Sequence, residues 1–337
     1  MGKQWVKGSL LFFLMVAAPF FVSLYYVNIF TEILIFGIFA ISLNILVGQT
    51  GLVSLGHAAF FGAGAYATGL AASHLSTNVF LTLVIGMVIA FLLAILIGFV
   101  STKAHGFYFL MLTLACSQMV YSVIYQWTDV TGGSNGLSGI PSPSLFGDFI
   151  LSNQVFIYYF TLVVFTIVIF VINRLLHSPL GYVFIGIKEN EDRMKSIGYN
   201  TTFYKNISFL IAGTLGGLAG GLYVFFNGFV APTDVYWTVS GSVLIMVLVG
   251  GSGTLWGPVI GAAFIVVLET IISSYTESWM MIIGTTFILF TIFAPSGIAG
   301  LFSRITQNLF KAKPQPVKEE YIEHPIEPIK QQSKING

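Results

Sequence analysis

The sequence predicts an all-α fold, a polytopic transmembrane helical bundle, and three observations support that prediction. The chain of 337 residues is 56% hydrophobic and only 8% charged, whereas about 25% of the residues in an average soluble domain are charged. The few charges are unevenly distributed, and residues 8–102 contain a single one, Glu32. The uncharged stretches also divide into apolar segments of about 20 residues, the length that a helix needs to cross a bilayer.

The composition also excludes several classes of protein. The net charge of +1 gives no reason to expect a nucleic-acid partner, because surfaces that bind nucleic acids are strongly basic. The single cysteine, Cys116, excludes an internal disulfide and a thiolate metal cluster. Acids, histidines and cysteines do not occur at the spacing of a metal site or a catalytic centre. We therefore expect no enzyme activity and no metal, with the lipid bilayer as the surroundings of the chain.

Apolar segments follow one another along most of the chain. A charge in the middle of a spanning helix costs about 2.5–3.5 kcal/mol, so long uncharged stretches are interpreted as membrane helices. Segments 51–72 and 236–252 are rich in Gly and Ser and could be broken or re-entrant, which requires shielding from lipid. We therefore predict roughly 8–10 membrane segments. The candidates are 9–27, 29–47, 51–72, 79–101, 106–126, 151–173, 206–227, 236–252, 256–275 and 279–302.

The signs of the charges predict the orientation of the bundle. If all ten segments cross, every Lys and Arg lies on one side of the membrane, and the positive-inside rule makes that side the cytoplasm. We therefore expect both termini in the cytoplasm, a transmembrane domain over 1–310 and a disordered cytoplasmic tail over 311–337. The basic groups are Lys3, Lys7, Lys103, the loop 174–205 and the residues from Arg304 onward, whereas Asp129, Asp148, Asp234 and Glu277 lie outside.

Glycines recur at four-residue spacing in two of the segments. Gly213, Gly217 and Gly221 form one series, and Gly257 and Gly261 form another. Small residues at this spacing let two helix backbones approach closely in lipid. We interpret both series as helix-packing surfaces.

A separate glycine cluster, residues 249–254, superficially resembles a phosphate-binding loop. It lacks the Gly-Lys-Ser/Thr ending of that motif, and no lysine lies nearby in the sequence. We interpret it as a break between two membrane segments rather than as a nucleotide site.

Several polar side chains interrupt the apolar segments between residues 44 and 57. In lipid such groups must face the bundle interior or a water-filled path. They are candidates for the lining of a solute pathway, although interhelical hydrogen bonds are the alternative, which we favour for His57 alone. A turn-forming loop at 131–141 is a further candidate for an outer gate, or is only a connection. The pathway candidates are Asn44, Gln49, Ser54, His57 and Asn135.

The loop 174–205 combines many charges with apolar residues. Lys188–Ile197 is predicted to form a short amphipathic helix that ends at Gly198, with Ile187, Met194 and Ile197 on one face. One interpretation is a docking element that transmits force from a cytoplasmic partner to the membrane helices. The alternative is a solvated loop with a surface helix.

Several short motifs occur in order between residues 30 and 302. They are Leu43–Gly48, Ser54–Gly62, Thr131–Leu137, Lys188–Glu191, Ile197–Asn200, Leu218–Tyr223 and Gly250–Pro258. In these motifs the chain resembles the LivM-like branch of branched-chain amino-acid ABC transporter permeases, which also includes related urea and amide permeases. Where the family pattern often has an Ala-Ala pair, this chain has Arg193 and Met194.

The resemblance implies a permease subunit of an ATP-driven importer in the cell (plasma or inner) membrane. It implies four partners: a second homologous permease, two cytoplasmic ATPase subunits and an external substrate-binding protein. ATP would be used by the partners, and no cofactor is expected on this chain. The resemblance does not separate branched-chain amino acids from urea or amides. A self-contained secondary transporter or channel is the alternative, with Glu269 as the candidate ionisable residue at membrane depth.

The resemblance also assigns the docking contact. It places the segment 181–200 against the ATPase subunits. From the mixture of apolar and charged residues we expect Ile187, Met194 and Ile197 to be buried there, with the charged residues at the rim. The expected coupling residues are Ile187, Lys188, Glu189, Glu191, Arg193, Met194, Ile197 and Gly198.

Overall fold

A computed structural model describes residues 15–145, 153–276, 278–294 and 297–300, most of which are helical. A helical stretch over 15–21 precedes the named helices, and single turns of 3₁₀-helix lie at Gly133–Asn135 and Pro232–Val235. The tail 311–337, Asp148 and Glu277 lie outside the described residues. The helices are α1 (Leu24–Asn44), α2 (His57–His74), α3 (Val79–Ser101), α4 (Phe107–Gln126), α5 (Thr128–Thr131), α6 (Gln154–Leu176), α7 (Pro179–Glu189), α8 (Glu191–Ser196), α9 (Thr201–Asn227), α10 (Trp237–Gly250), α11 (Gly257–Ser273) and α12 (Trp279–Phe293).

The long apolar helices confirm the predicted polytopic α-helical bundle. Within the part of the chain that the structure describes, six segments are long and apolar enough to cross a membrane. The apolar helices α10 and α11 are shorter than these segments. The six segments are Leu24–Thr50, Val79–Ser101, Phe107–Gln126, Gln154–Leu176, Thr201–Asn227 and Met280–Gly300.

Helix α9 is at the centre of the bundle and packs against α1, α2 and α3. A β-carbon at Gly64 of α2 would overlap the backbone of Gly217 in α9, and one at Gly261 of α11 would overlap the carbonyl oxygen of Met246 in α10. Only glycine permits such close contact between backbones. The predicted packing role of both glycine series is confirmed.

Each of the two Gly- and Ser-rich segments contains one continuous helix and adjoins a stretch that is not helical. Residues 51–56 are not helical, and α2 begins only at His57. Helix α10 has 14 residues, or about 21 Å at 1.5 Å per residue, which is shorter than the bilayer core of about 30 Å. Residues 251–256 then separate α10 from α11. These interruptions lie at the same end of the bundle and build the site described below.

The prediction of one helix over Lys188–Ile197 was wrong. Helix α7 ends at Glu189, and Asn190 takes an extended conformation with φ −161° and ψ 99°. The Asn190 side chain accepts a hydrogen bond from the backbone N–H of Arg193 at 2.8 Å and thereby caps a second helix, α8. The segment therefore consists of two helices with a turn between them.

Candidate functional site

A π-helix continues α1 towards the loop between α6 and α9. It spans Ile45–Thr50 and ends at Gly51, whose φ of 74° lies in the left-handed region that favours glycine. The backbone N–H of Leu52 returns to the carbonyl oxygen of Leu46 at 2.9 Å and closes this end. Such wide turns inside membrane helices occur often at functional sites.

Two polar side chains of this region bind the break between α10 and α11. Asn44 accepts a hydrogen bond from the N–H of Gly253 and donates one to the carbonyl oxygen of Thr254, both at 2.9 Å. Gln49 donates to the carbonyl oxygen of Gly253 at 3.0 Å. Because residues 251–256 are not helical, their backbone groups need such partners at membrane depth. Asn44 and Gln49, predicted to line a solute pathway, therefore bind a neighbouring backbone.

The π-helix and the break are in direct contact at two glycines. A β-carbon at Gly48 would lie 2.5 Å from the backbone nitrogen of Gly253 and would also overlap the Asn44 side chain. The close approach brings the carbonyl oxygen of Gly48 to the surface that faces α7.

Lys188, near the end of α7, binds that carbonyl group. Its Nζ donates a hydrogen bond to the Gly48 oxygen at 2.8 Å, and a charged donor makes such a bond stronger than a neutral one. The aliphatic part of the side chain passes over Gly51, where an added β-carbon would lie 3.2 Å from Lys188 Cγ. We name Asn44, Gly48, Gln49, Lys188, Gly253 and Thr254 the polar junction.

The polar junction joins three elements that are far apart in the sequence. Helix α7 contacts the π-helix through Lys188, and the π-helix contacts the α10–α11 break through Asn44 and Gln49. Side-chain hydrogen bonds therefore connect these three elements to one another.

A buried ion pair ties α8 to the first turn of α9. Lys205 is 2% exposed, and its ammonium group donates to Glu191 Oε2. Glu191 Oε1 accepts from Thr201 Oγ1 at 3.0 Å and pairs with Lys195 at 3.2 Å. Burial by itself raises the pKa of Glu191, but the hydrogen bonds from Lys205, Lys195 and Thr201 outweigh it and hold the pKa at about 2. The carboxylate is therefore ionised at neutral pH.

The coupling residues expected from the sequence occupy different surroundings. Ile187 is buried within this chain and is not available to a partner, whereas Ile197 is 64% exposed. Met194 packs against Gly186, where a β-carbon would lie 2.7 Å from its sulfur atom. Glu189, Arg193 and Gly198 are exposed, and Glu191 is bound in the ion pair.

Apart from Ile197, the exposed apolar side chains of this region were not predicted. Tyr182 and Ile185 are exposed on α7 while Val183 and Ile187 are buried, and this spacing distinguishes the two faces of a helix. The sequence shows this spacing of apolar residues, but the predicted helix began at Lys188 and therefore did not include them. We name Tyr182, Ile185, Ile197, Tyr199 and Phe203 the exposed apolar patch.

The remaining pathway candidates do not converge with Asn44 and Gln49 on one cavity. His57 is fully buried and shares a hydrogen bond of 2.7 Å with Ser42 Oγ of α1, the interhelical bond that we favoured for this residue. Ser54 is buried, and its hydroxyl accepts from the N–H of Gly56 at 3.2 Å. Asn135 is exposed in a 3₁₀ turn. Within the described residues, no three His, Cys, Asp or Glu side chains are grouped so as to hold a metal ion.

Known proteins resemble this chain over most of its length. Residues 25–291 match the family model described as the permease component of the branched-chain amino acid transport system. The chain is 31% identical over 318 residues to the high-affinity branched-chain amino acid transport system permease protein LivM of Salmonella typhimurium and, separately, to that of Escherichia coli, in each case covering 88% of this chain and 75% of the relative. A probable branched-chain amino acid transport permease protein LivM of Methanocaldococcus jannaschii is 26% identical over 237 residues, covering 63% of this chain and 68% of the relative.

No solved structure matches the chain. The family match nevertheless includes the helices that build the polar junction, from α1 to α11. The helical architecture, the membrane-length segments and the match over residues 25–291 lead to one conclusion. The chain belongs to the family of permease components of branched-chain amino acid transport systems.

Proposed function

We propose that this chain is the permease subunit of an ATP-driven importer that carries branched-chain amino acids across the cell membrane. It assembles with a second, homologous permease and two cytoplasmic ATPase subunits, and an external binding protein delivers the solute. The ends of α7 and α8 face the cytoplasm together with both termini. Three relatives named for branched-chain amino acid transport support the choice of solute.

One observation carries the proposal, the hydrogen bond from Lys188 to Gly48. An importer driven by a separate ATPase needs a surface that receives movement and a connection that transmits it. Helix α7 presents Tyr182 and Ile185 outward and uses Lys188 on the membrane side. Both requirements are therefore met within one short helix.

The proposed mechanism follows the contacts of the junction. Closure of the ATPase subunits displaces α7 and α8, and Lys188 moves the end of the π-helix with them. Asn44 and Gln49 then shift the break at 251–256, which lies between two short helices. Rigid helices joined by hydrogen bonds at such a break can exchange between two arrangements, as alternating access requires. The carboxylate of Glu191, bound to Lys205, moves α9 together with α8.

The exposed apolar patch is the proposed contact with the ATPase subunits. Burying a side chain of this size contributes about 1.5–3 kcal/mol. Exposed charges such as Glu189 and Arg193 contribute about 0–1 kcal/mol each. The apolar side chains are therefore expected to dominate the affinity, with the charges at the rim.

The double variant Tyr182→Ala/Ile185→Ala tests this contact. We expect about 100-fold weaker ATPase binding, the result of losing about 3 kcal/mol of apolar contact. Co-purification of the ATPase subunits and substrate-stimulated ATP hydrolysis are measured in the purified complex. The control is Ile167→Ala/Phe170→Ala, which removes exposed apolar side chains from α6.

Two results would contradict the proposal. Wild-type binding and ATP hydrolysis in the correctly inserted double variant would show that α7 is not the docking helix. Solute uptake by proteoliposomes that contain this chain without ATPase subunits would instead show a self-contained transporter. The choice of solute is tested with the complete complex. Its uptake of labelled leucine, isoleucine and valine is compared with its uptake of labelled urea and acetamide.

A further inference from the structure

Among the described residues, helix α4 contacts the rest of the bundle with one side only. The helix has 20 residues, or about 30 Å at 1.5 Å per residue, so its other side is exposed over the depth of a bilayer core. On that side Met111 is 55% exposed and Met119 is 69% exposed. The buried residues recur at four- or seven-residue spacing, which is the spacing of one helix face. They are Phe109, Thr113, Ser117 and Ile124.

The exposed side of α4 differs in polarity from the exposed sides of α3 and α6. Every exposed side chain of α3 is apolar, and its two polar side chains, Thr82 and Ser101, are buried, as contact with lipid requires. Thr166 is exposed in the middle of α6, but its hydroxyl donates at 2.8 Å to a carbonyl oxygen one turn earlier in the same helix. On α4, by contrast, Ser122 is exposed and Gln118 is half-buried. The exposed side of α4 therefore does not match lipid as the sides of α3 and α6 do.

Gln118 lies near the middle of the membrane. It is the twelfth residue of α4, about 18 Å from the beginning of the helix. Its Nε2 atom is shielded from solvent and has no hydrogen-bond partner within the described residues. An amide donor without a partner is costly in hydrocarbon, and glutamines of membrane helices usually bond to a neighbouring helix. The orphaned amide therefore points to a helix that the described part of this chain does not supply.

The side chains around Gln118 fit the close approach of such a helix. Met111, Ala115, Gln118 and Ser122 follow one another at spacings of four, three and four residues, and we name these four residues the α4 face. This alternation lets two helices pack along one another at a crossing angle of about 20°. The small residues Ala115 and Ser122 flank Gln118 and let a neighbouring backbone come near it. The flexible Met111 fills irregular space at such a contact.

We propose that the α4 face packs against the second, homologous permease and that Gln118 donates a hydrogen bond across this interface. The inference rests on the proposed function, which supplies the second permease, and adds the surface that receives it. The α4 face lies at membrane depth, so cytoplasmic ATPase subunits and an external binding protein do not reach it. Lipid chains reach it but offer the Gln118 amide no acceptor. A helix of the membrane-embedded partner meets both requirements.

A photoreactive side chain tests which molecule covers the α4 face. Met111 is replaced by p-benzoylphenylalanine in the complete permease–ATPase complex, and the membranes are irradiated. We expect crosslinks to the second permease with a yield about 10-fold or more above that from the same replacement at Val88, which is 48% exposed on α3. Equal yields at the two positions, or crosslinks from Met111 to a second copy of this chain or to another protein, would overturn the inference.

Gln118→Leu tests the hydrogen bond across the interface. Leucine is well tolerated in lipid, so a Gln118 that faced lipid could be replaced without loss. At the proposed interface the variant loses a hydrogen bond, and we expect the second permease to dissociate about 3- to 10-fold faster from the purified complex on dilution in detergent. Thr166→Leu replaces the exposed threonine of α6 and is the control, with no change expected. Unchanged or slower dissociation of Gln118→Leu would contradict the inference.

Uptake of labelled leucine by the wild-type complex separates this inference from the proposed function. If the complex carries leucine while the Met111 crosslink and the Gln118→Leu dissociation match their controls, the interface is wrong and the importer function stands. If the Met111 crosslink to the second permease forms as expected but the complex carries no branched-chain amino acid, the importer function is wrong and the interface stands.

Discussion

Lys188 belongs to two surfaces of the molecule at once. The residue as a whole is exposed on α7, yet its ammonium group donates to the carbonyl oxygen of Gly48. A lysine reaches both positions because its four-carbon stem is apolar and flexible. Gly51 leaves the space through which the stem passes. The residue therefore connects a docking helix to the membrane helices without being buried itself.

Substitution of Lys188 by Met tests this connection. Met keeps most of the apolar stem but cannot donate to Gly48, so ATPase binding is expected to persist while coupling fails. We expect the ATPase subunits to co-purify at near-normal levels. Solute-stimulated ATP hydrolysis and solute uptake are both expected to fall about 10-fold, because a charged hydrogen bond of about 1.5 kcal/mol is lost. Lys103→Met, which removes another exposed lysine, serves as the control. Normal uptake by Lys188→Met would contradict the transmission route.

Gly48 tests how closely the π-helix approaches the break. A methyl group at Gly48 would overlap Asn44 and Gly253, and overpacking of this kind costs about 1–3 kcal/mol. Gly48→Ala is therefore expected to lower the thermal unfolding temperature of the purified complex. Gly241 of α10 has open space around it, so Gly241→Ala is expected to leave stability unchanged or to raise it by about 0.5–1 kcal/mol. Equal stability of the two variants would contradict the close contact.

The sequence revealed polar residues at membrane depth but not what they bind. Asn44 and Gln49 were expected to face the bundle interior or a water-filled path, and both are buried. Their partners are the backbone of Gly253 and Thr254, more than 200 residues away in the chain. A side-chain pattern does not identify backbone partners, because every residue carries the same donor and acceptor.

At the scale of elements, α7 and α8 are held to the bundle by different interactions. Helix α7 is attached through Lys188 and through buried apolar residues such as Ile187, whereas the six-residue helix α8 has no buried residue. Its attachments are the Glu191–Lys205 ion pair and the packing of Met194 against Gly186. The sequence predicted a single helix here because Ile187, Met194 and Ile197 fit one helix face. Only the extended backbone of Asn190 and its cap on Arg193 show that the chain starts a new helix.

Replacement of Glu191 by Gln tests the attachment of α8. The variant leaves the Lys205 ammonium group buried without an anionic partner, which is expected to destabilise the α8–α9 connection by about 3–5 kcal/mol. The double variant Glu191→Gln/Lys205→Met removes both charges and is expected to regain most of that stability. Hydrogen exchange of the amides in residues 191–205 measures the effect. Asp192→Asn, at an exposed neighbouring acid, is the control. Equal protection in the single and double variants would contradict a buried ion pair.

The same ion pair predicts a pH dependence. The pKa of Glu191 is lowered from 4.5 to about 2 in the folded chain. A lowered carboxyl pKa stabilises the folded state above the unfolded value, and this contribution is lost as the pH falls from 4.5 towards 2. Hydrogen exchange corrected for intrinsic rates is therefore expected to show α8 opening in that range. In Glu191→Gln the transition should be absent, and its persistence there would assign it to another group.

At the scale of the whole molecule, composition and spacing determine the architecture. Apolar length predicted the membrane helices, and the glycine series predicted the close packing of α9 with its neighbours. The Gly and Ser content of segments 51–72 and 236–252 suggested broken or re-entrant segments, whereas each contains one continuous helix beside a non-helical stretch. The contact between the π-helix and the break at 251–256 was not predictable from the sequence, because hydrophobic periodicity describes one helix at a time and does not show which distant segments pair.

The distribution of charge makes a prediction about the orientation of the whole bundle. Helix α7, the polar junction and the basic loop lie at one end, while Asp234 and the exposed Asn135 lie at the other. The positive-inside rule assigns the end with the basic loop to the cytoplasm. A fluorescent reporter inserted at Gly198 or fused to the C-terminus is therefore expected to fold in the cytoplasm. A phosphatase inserted at Ser138 is expected to be exported and active, and membrane levels of each fusion protein are the control. A phosphatase that is active at Gly198 and inactive at Ser138 would contradict this orientation and would place the polar junction at the outer face.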